Sequence, residues 1–183
     1  KMRGRVAYQG IVPSNTAINF CYSKPFNAPS EKGYQRPINL KRAEDFSKYL
    51  SLGEDSLFTP ILLNANGEWH FQTYDQLRPN IGILLCKKKA SLIDGQHRLE
   101  GIRIYTKQTS TMLNIPFLAF HSLDEDEEIK FFDVINTKGI GTSLSKYLKR
   151  EIDELSWIAT QHIIKPESPF YNKGTLLGKR TTN

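Results

Sequence analysis

The sequence has little cysteine and no long apolar run, and each shortage excludes a class of protein. Cys21 and Cys86 are the only two cysteines among 183 residues, too few for a disulfide framework, so we expect buried, reduced thiols. No apolar run approaches the ~20 residues that a membrane-spanning helix needs. The basic residues 1–5 are not followed by the apolar segment of a signal peptide. We therefore expect a cytoplasmic protein without a membrane partner.

Low-complexity segments and internal repeats are also absent, which favours a globular chain. Hydrophobic residues make up 39% of the 183 residues, which is enough for one sizeable core. The 12 glycines and 9 prolines are unexceptional numbers for a globular chain. We predict one domain over residues 1–148 and a helical C-terminal extension over residues 149–183. The sequence leaves open whether the chain is a fragment of a longer protein.

The charge is basic and unevenly distributed. The formal net charge is +6, which suits a polyanionic partner such as DNA because binding to phosphates releases counterions. Five of the 19 acidic residues lie in residues 124–128, so the remaining surface is more basic than the average. This acidic run is predicted to be an exposed helix N-terminus with a capping box at Ser122 and Glu125. Alternatively, it holds magnesium or mimics phosphate against the basic surface.

Periodicity predicts an α/β or α+β fold with a mixed sheet and flanking helices. Helix 40–50 has Asn39 as its cap. A second helix begins at or just after Gly95. Strands are predicted over residues 6–12, 18–22, 58–63, 69–74, 81–86, 90–93 and 115–120, and further helices after residue 122 and beyond residue 144.

The strand-to-helix turn at residues 94–98 has the residue types of a phosphate site. A helix N-terminus offers free N–H groups, and Gly95 lets a ligand approach the backbone closely. Arg98 matches phosphate oxygens, and His97 could donate a hydrogen bond or act as acid or base. Asp94 could orient either of them or bind a cation. The alternative is structural: Asp94 caps the helix, His97 is buried and Arg98 pairs with a nearby carboxylate.

Residues 94–101, Asp-Gly-Gln-His-Arg-Leu-Glu-Gly, resemble the signature of the DGQHR-domain proteins. That family includes the DndB proteins, associated with DNA phosphorothioate modification, and the DpdB proteins, associated with deazaguanine insertion into DNA. It belongs to the wider ParB/sulfiredoxin-like superfamily. Residues 34–37, 58–63, 132–137 and 141–144 resemble further family segments, so the resemblance covers about residues 34–148.

The resemblance implies a ParB/sulfiredoxin-like fold and a nucleotide, ATP or another, bound with magnesium at the turn. Carried over, the phosphate-binding residues are Gly95, Gln96, His97, Arg98, Arg36 and Asn136, and the catalytic residues are Asp94, His97 and Arg98. The ParB turn Gly-Glu-Arg-Arg is replaced here by Gly-Gln-His-Arg, so one fixed positive charge is lost. The cysteine that sulfiredoxins use has no match beside the motif.

Weaker signals lie outside the turn. Lys87, Lys88 and Lys89 are predicted either to contact the DNA backbone or to form a solvated hairpin tip. Alternating aromatic residues could stack on bases or pack in the core: Trp69, Phe71 and Tyr74. The histidines lack metal-ligand spacing, so no metal site is predicted.

These observations favour a DndB-like DNA-binding regulatory or accessory protein of a phosphorothioation-type DNA-modification and defence system. The first alternative is an ATP hydrolase that energises DNA modification, and a ParB-like nuclease ranks lowest. The expected partners are DNA, other proteins of a DNA-modification operon and a second copy of the chain.

Overall fold

Five strands form a mixed sheet in the order β1-β7-β3-β6-β2. The computed structural model describes residues 1–2, 4–26, 33–65, 67–136, 162, 165–169 and 171. The sheet strands are β1 (Ala7–Pro13), β2 (Cys21–Tyr22), β3 (Ile61–Ala65), β6 (Ala90–Asp94) and β7 (Asn114–His121). A separate hairpin consists of β4 (Trp69–Thr73) and β5 (Gly82–Cys86). The helices are α1 (Ser14–Phe20), α2 (Leu40–Leu50), α3 (Gln96–Thr109) and α4 (Glu125–Asn136).

Strand direction defines two ends of the sheet. Strand β3 is antiparallel to β6 and parallel to β7, and β1 is antiparallel to β7. The end of β6 at Asp94 therefore lies beside the start of β3 at Ile61, and we call this the motif end. The start of β6 at Ala90 lies beside the end of β3 at Ala65, and we call this the hairpin end.

Alternate residues of the strands enter two hydrophobic clusters, one on each face of the sheet. Leu63 and Leu92 pack with residues of α1, α2 and α3. Ile93 and Phe120 pack on the opposite face with Phe131 and Phe132 of α4. Strand β6 is buried from Ala90 to Ile93, as expected for a strand covered on both faces. The sheet between two helical layers confirms the predicted α/β class.

Several predicted elements are confirmed, and two are wrong in part. Helix α2 spans the predicted residues, and the Asn39 side chain accepts the Arg42 N–H at 3.2 Å. The strand predicted at residues 18–22 is mostly helix α1, in which Ser14 and Ala17 are buried at helical spacing. Strand β3 begins only at Ile61, because the carbonyls before it accept hydrogen bonds from Arg98 instead of pairing in the sheet.

The predicted capping box at Ser122 and Glu125 is wrong by two residues. The Asp124 carboxylate accepts the Glu127 N–H at 2.8 Å, and the Glu127 carboxylate accepts the Asp124 N–H at 3.2 Å. Ser122 has a φ of 53° and lies before the helix. The helical region predicted beyond residue 144 lies almost wholly outside the described residues, so the division at residue 148 stays a prediction.

Candidate functional site

Gly95 forms the turn between β6 and α3 at the motif end. Its φ of 104° is left-handed, and a Cβ there would lie 2.8 Å from Cγ2 of the fully buried Ile61. Only glycine fits without strain. Because Gly95 is also the N-cap, no side chain caps α3. The first N–H groups of the helix, at Gln96, His97 and Arg98, have no partner within it.

Arg98 is held in place by protein oxygens. Its Nη1 donates to the carbonyls of Thr59 at 2.7 Å and Pro60 at 3.2 Å, and also to the Thr59 hydroxyl. Its Nη2 forms an ion pair with Asp94, and only 18% of the arginine side chain is exposed. The Asp94–Arg98 pair therefore fastens the segment before β3 to the turn. The catalytic role assigned to both residues and the phosphate-binding role assigned to Arg98 stay predictions.

His97 brings the N-termini of α2 and α3 together. Its Nε2 accepts the Asn39 N–H at 3.0 Å, so the ring is neutral and carries its proton on Nδ1. Burial and then the nearby Arg42 charge lower the pKa of His97, although Asp94 opposes them. The ring can donate from Nδ1. It can act as a base at Nε2 only by giving up the bond to Asn39.

Gln96 joins the Arg36 backbone to the start of α3. Its Nε2 donates to the Arg36 carbonyl at 3.1 Å. The side chains of Arg36 and Arg42 are exposed, and neither has an ion pair with any residue that the structure describes. Neither α2 nor α3 has an acidic residue in its first turn. The junction of the two helix N-termini is therefore positive, which suits an anion.

A buried polar network centred on Glu128 supports this site from the opposite face of the sheet. The Glu128 carboxylate accepts hydrogen bonds from Lys24 at 2.8 Å, Tyr34 at 2.7 Å, Asn64 at 3.0 Å and Ser91 at 2.7 Å. Burial alone would raise the pKa of Glu128, but these four donors outweigh it and lower the pKa. Burial and the Glu128 charge raise the pKa of Tyr34, so its hydroxyl remains a donor.

The network corrects the prediction that the whole acidic run is exposed. Glu128 is 1% exposed. In sequence it lies between Leu123 and the pair Phe131 and Phe132, which all belong to the hydrophobic cluster around Phe120. Its i,i+4 spacing to Phe132 places it on the apolar side of α4, and this spacing was the available sequence signal. The Glu128 carboxylate is occupied by four protein donors and is therefore not free to bind magnesium.

Gln35 immediately precedes Arg36 and is held by buried hydrogen bonds. No local sequence pattern identifies this role. Gln35 is 1% exposed, its Nε2 donates to the carbonyls of Leu92 and Ile93, and its Oε1 accepts the Lys24 N–H at 2.7 Å. The segment around Arg36 is thus attached to β6 by side-chain bonds rather than by strand pairing.

The structure brings some of the predicted site residues together and separates others. Residues 94–98 and the Arg36 backbone meet at the motif end. Ser91 contacts Glu128, and Ile93 packs in the cluster of Phe131 and Phe132, so α4 runs alongside β6 in the same direction. Its last residue, Asn136, therefore lies toward the motif end. The contacts of the Asn136 side chain lie outside what the structure describes.

The lysine run lies at the other end of the sheet. Lys87, Lys88 and Lys89 are exposed in the connection between β5 and β6, and Lys88 pairs with Glu68. Lys89 precedes Gly95 by six residues of extended chain, which at ~3.3 Å per residue separates them by about 20 Å. The run and the turn therefore do not form one site.

Other predictions have mixed outcomes. Trp69 is buried, whereas Phe71 is 38% and Tyr74 62% exposed. Both cysteines are free, but Cys21 is half-buried and Cys86 is exposed, so the prediction that both are buried is wrong. Within the described ranges, no three histidine, cysteine or acidic residues lie close enough to hold a metal ion. No described helix has the length and apolar character to cross a membrane.

Comparison with known protein families agrees with the resemblance seen in the sequence. No curated protein matches the chain. The chain is similar to the C-terminally truncated chromosome-partitioning protein ParB from Caulobacter crescentus, solved with CTP-gamma-S, at 14% identity and a TM-score of 0.43. The match covers 79% of this chain and 61% of that ParB chain. The model of the DndB family, described as DNA-sulfur modification-associated, matches residues 1–176. The chain therefore belongs to the DndB family.

Proposed function

We propose that this chain is a DNA-binding accessory or regulatory protein of a DNA-sulfur modification system and binds phosphate at the junction of α2 and α3. Membership of the DndB family supports the association with DNA modification. One observation carries the phosphate site. Helix α3 begins at Gly95 without a side-chain cap, and the exposed Arg36 and Arg42 flank the junction without an ion pair among the described residues.

The physical chemistry favours binding of phosphate oxygens at this junction. Uncapped N–H groups and the positive ends of two helices attract an anion. Two arginine forks can each donate a pair of charge-assisted hydrogen bonds. The nearby Asp94 carboxylate is paired with Arg98, so it repels an approaching phosphate less than a free carboxylate would.

Phosphate oxygens are common to the DNA backbone and to a free nucleotide, and experiment can separate the two sources. DNA binding is measured by fluorescence anisotropy of a labelled duplex across a salt series. We expect the double variant Arg36→Ala/Arg42→Ala to bind at least tenfold more weakly and to flatten the slope of log K against log salt by about two. Nucleotide binding is measured by calorimetry with ATP, CTP and inorganic phosphate on the same variants.

A matched control removes the same charge from the opposite ends of the same helices. Lys48 and Lys107 lie in the last turns of α2 and α3. The double variant Lys48→Ala/Lys107→Ala should keep the wild-type affinity and salt slope. If both double variants behave alike, or if wild type binds neither duplex DNA nor any phosphate probe at low salt, the proposed site is wrong.

ATP hydrolysis with magnesium, with Asp94, His97 and Arg98 as catalytic residues, has less support than binding. Asp94 and Arg98 form an ion pair with each other, and the acceptor nitrogen of His97 accepts a hydrogen bond from the Asn39 backbone N–H. Phosphate release from ATP and magnesium that disappears in His97→Ala would favour this alternative. The nuclease alternative lacks a carboxylate cluster within the described residues. Binding to other proteins of the same operon, or to a second copy, remains part of the proposal.

A further inference from the structure

A cavity of about 850 Å³ lies between β1, α1 and the β4–β5 hairpin. It is on the face of the sheet that carries α1, at the β1 edge, and shares no lining residue with the turn at Gly95. Its size is that of a site for a small organic group. Five aromatic side chains line it: Tyr8, Phe20, Trp69, Phe71 and Phe117.

The aromatic walls include two ring pairs. The Tyr8 and Phe71 ring centroids are 6.1 Å apart with an interplanar angle of 24°. The Phe20 and Trp69 centroids are 5.7 Å apart at 43°. Phe71 is 38% exposed, so part of its side chain is accessible to a ligand. Such rings favour a planar group with a π face.

One side of the cavity is the open edge of β1. Within the described residues, β1 pairs with β7 on one side only. The Val6 carbonyl accepts the His121 N–H at 3.0 Å, so by antiparallel alternation the N–H and C=O groups of Ala7, Gln9 and Ile11 point away from β7. All three residues line the cavity. The edge therefore offers a row of hydrogen-bond donors and acceptors to a ligand.

The cavity carries no negative charge, and Lys1 is the one charged residue among its described lining residues. No acidic residue is among its described lining residues, and two free thiols are, Cys21 and Cys86. Burial, with a smaller effect of Cys86, raises the pKa of Cys21 to about 12. Burial also raises the pKa of Cys86. Both thiols are protonated at neutral pH, so they neither attract a cation nor act as strong nucleophiles.

Cations lie directly beside the cavity. Cys86 in its wall is followed by the lysine run, in which Lys87 and Lys89 are exposed. Neither lysine has an ion pair with a described residue, whereas Lys88 pairs with Glu68. A ligand that is neutral and planar within the cavity can thus carry a negative charge just outside it.

We propose that this cavity binds a nucleobase of a nucleic-acid strand whose phosphates contact Lys87 and Lys89. A base combines a π face, neutral donors and acceptors on its edge, and an attached anionic backbone, which matches the walls, the β1 edge and the lysines in turn. The base must be unstacked, so the strand is single or locally opened. The proposal goes beyond the phosphate site at Gly95 and does not depend on it.

Trp69 is an internal probe for the test. In a Trp157→Phe background, Trp69 is the only tryptophan, because the chain has two. A single-stranded oligonucleotide of about six nucleotides should quench its fluorescence, free nucleosides should do so at higher concentration, and ribose 5-phosphate should not. No quenching by either base-containing probe, or equal quenching by ribose 5-phosphate, would overturn the proposal.

Variants on the two faces of the hairpin provide the matched comparison. Phe71→Ala should weaken oligonucleotide binding about tenfold, whereas Phe71→Trp should retain it. Ile83→Ala removes an exposed side chain from β5 that does not line the cavity, and it should bind as wild type does. Equal losses in Phe71→Ala and Ile83→Ala, or no loss in either, would contradict the assignment.

A measurement without a cavity substitution guards against misfolded variants. Bound oligonucleotide should slow alkylation of Cys86 in the wild-type chain, as followed by peptide mass spectrometry; an unchanged rate at saturation counts against the cavity. Arg36→Ala/Arg42→Ala should leave the nucleoside quenching intact while weakening duplex binding. Failure of the nucleobase site and failure of the phosphate site are therefore distinguishable.

Discussion

Replacing Glu128 by glutamine tests how the interior supports the candidate site. All four groups around the carboxylate, on Lys24, Tyr34, Asn64 and Ser91, are hydrogen-bond donors. Glutamine has one acceptor oxygen and adds two N–H donors of its own. At least one buried donor therefore loses its partner, and the amide nitrogen faces donors rather than acceptors.

The expected loss follows from the exposure of the partners. Removing one member of a buried ion pair costs 3–5 kcal/mol. Lys24 is 27% exposed and can turn toward water, which favours the lower end, so Glu128→Gln should destabilise the fold by about 3 kcal/mol. With a urea m-value of ~2 kcal/mol/M, the unfolding midpoint falls by about 1.5 M. Because Tyr34 and Gln35 precede Arg36, DNA affinity should fall as well.

The same substitution has a pH signature. The Glu128 pKa is lower in the folded state than the unfolded value near ~4.3. Its stabilisation is therefore complete above that value and is lost as the pH falls through the folded pKa. The difference between wild type and variant should shrink in acid.

The assay is urea unfolding followed by circular dichroism at pH 7 and at pH 3.5. Glu125→Gln is the control, because it makes the same change at an exposed position of the same helix, and it should change the free energy of unfolding by less than about 0.5 kcal/mol. A loss below about 1 kcal/mol in Glu128→Gln, or one equal to the control, would refute the role of the network.

Further predictions concern the turn and the helix junction. Gly95→Ala should cost about 2–4 kcal/mol in thermal unfolding, because alanine resists a φ of 104° and its Cβ meets Ile61. Asn39→Ala should cost about 1 kcal/mol in urea unfolding through the lost cap of α2. His97 should titrate below its usual pKa by NMR; its contribution to stability is present above pH ~6.5 and lost as the pH falls through the folded pKa, and this dependence should vanish in His97→Gln.

Local patterns predicted the elements that local chemistry decides. The Asn39 cap and the apolar spacing of residues 40–50 located α2, and a strand followed by glycine located the turn at Gly95. Residues 18–22 were misassigned because a short apolar run fits a strand and a buried helix equally well. Burial at Ser14 and Ala17 decides between them, and it depends on tertiary packing.

Long-range partners explain what sequence reasoning missed at the site. Glu128 is buried because donors more than thirty residues away surround it, and no local pattern identifies them. The lysine run is close to Gly95 in sequence, yet the extended β6 places it at the opposite end of the sheet. The motif identifies Arg98, but its hydrogen bonds to the carbonyls of Thr59 and Pro60 arise only when the fold brings these distant residues together.

Amide chemical shifts test the phosphate site most directly. A ¹⁵N-labelled chain is titrated with a short DNA duplex and, separately, with inorganic phosphate. Binding at the junction of α2 and α3 predicts the largest shifts for the backbone N–H groups of Gln96, His97 and Arg98, and their loss in Arg36→Ala/Arg42→Ala. Saturable DNA binding that leaves these three amides unmoved would contradict the account.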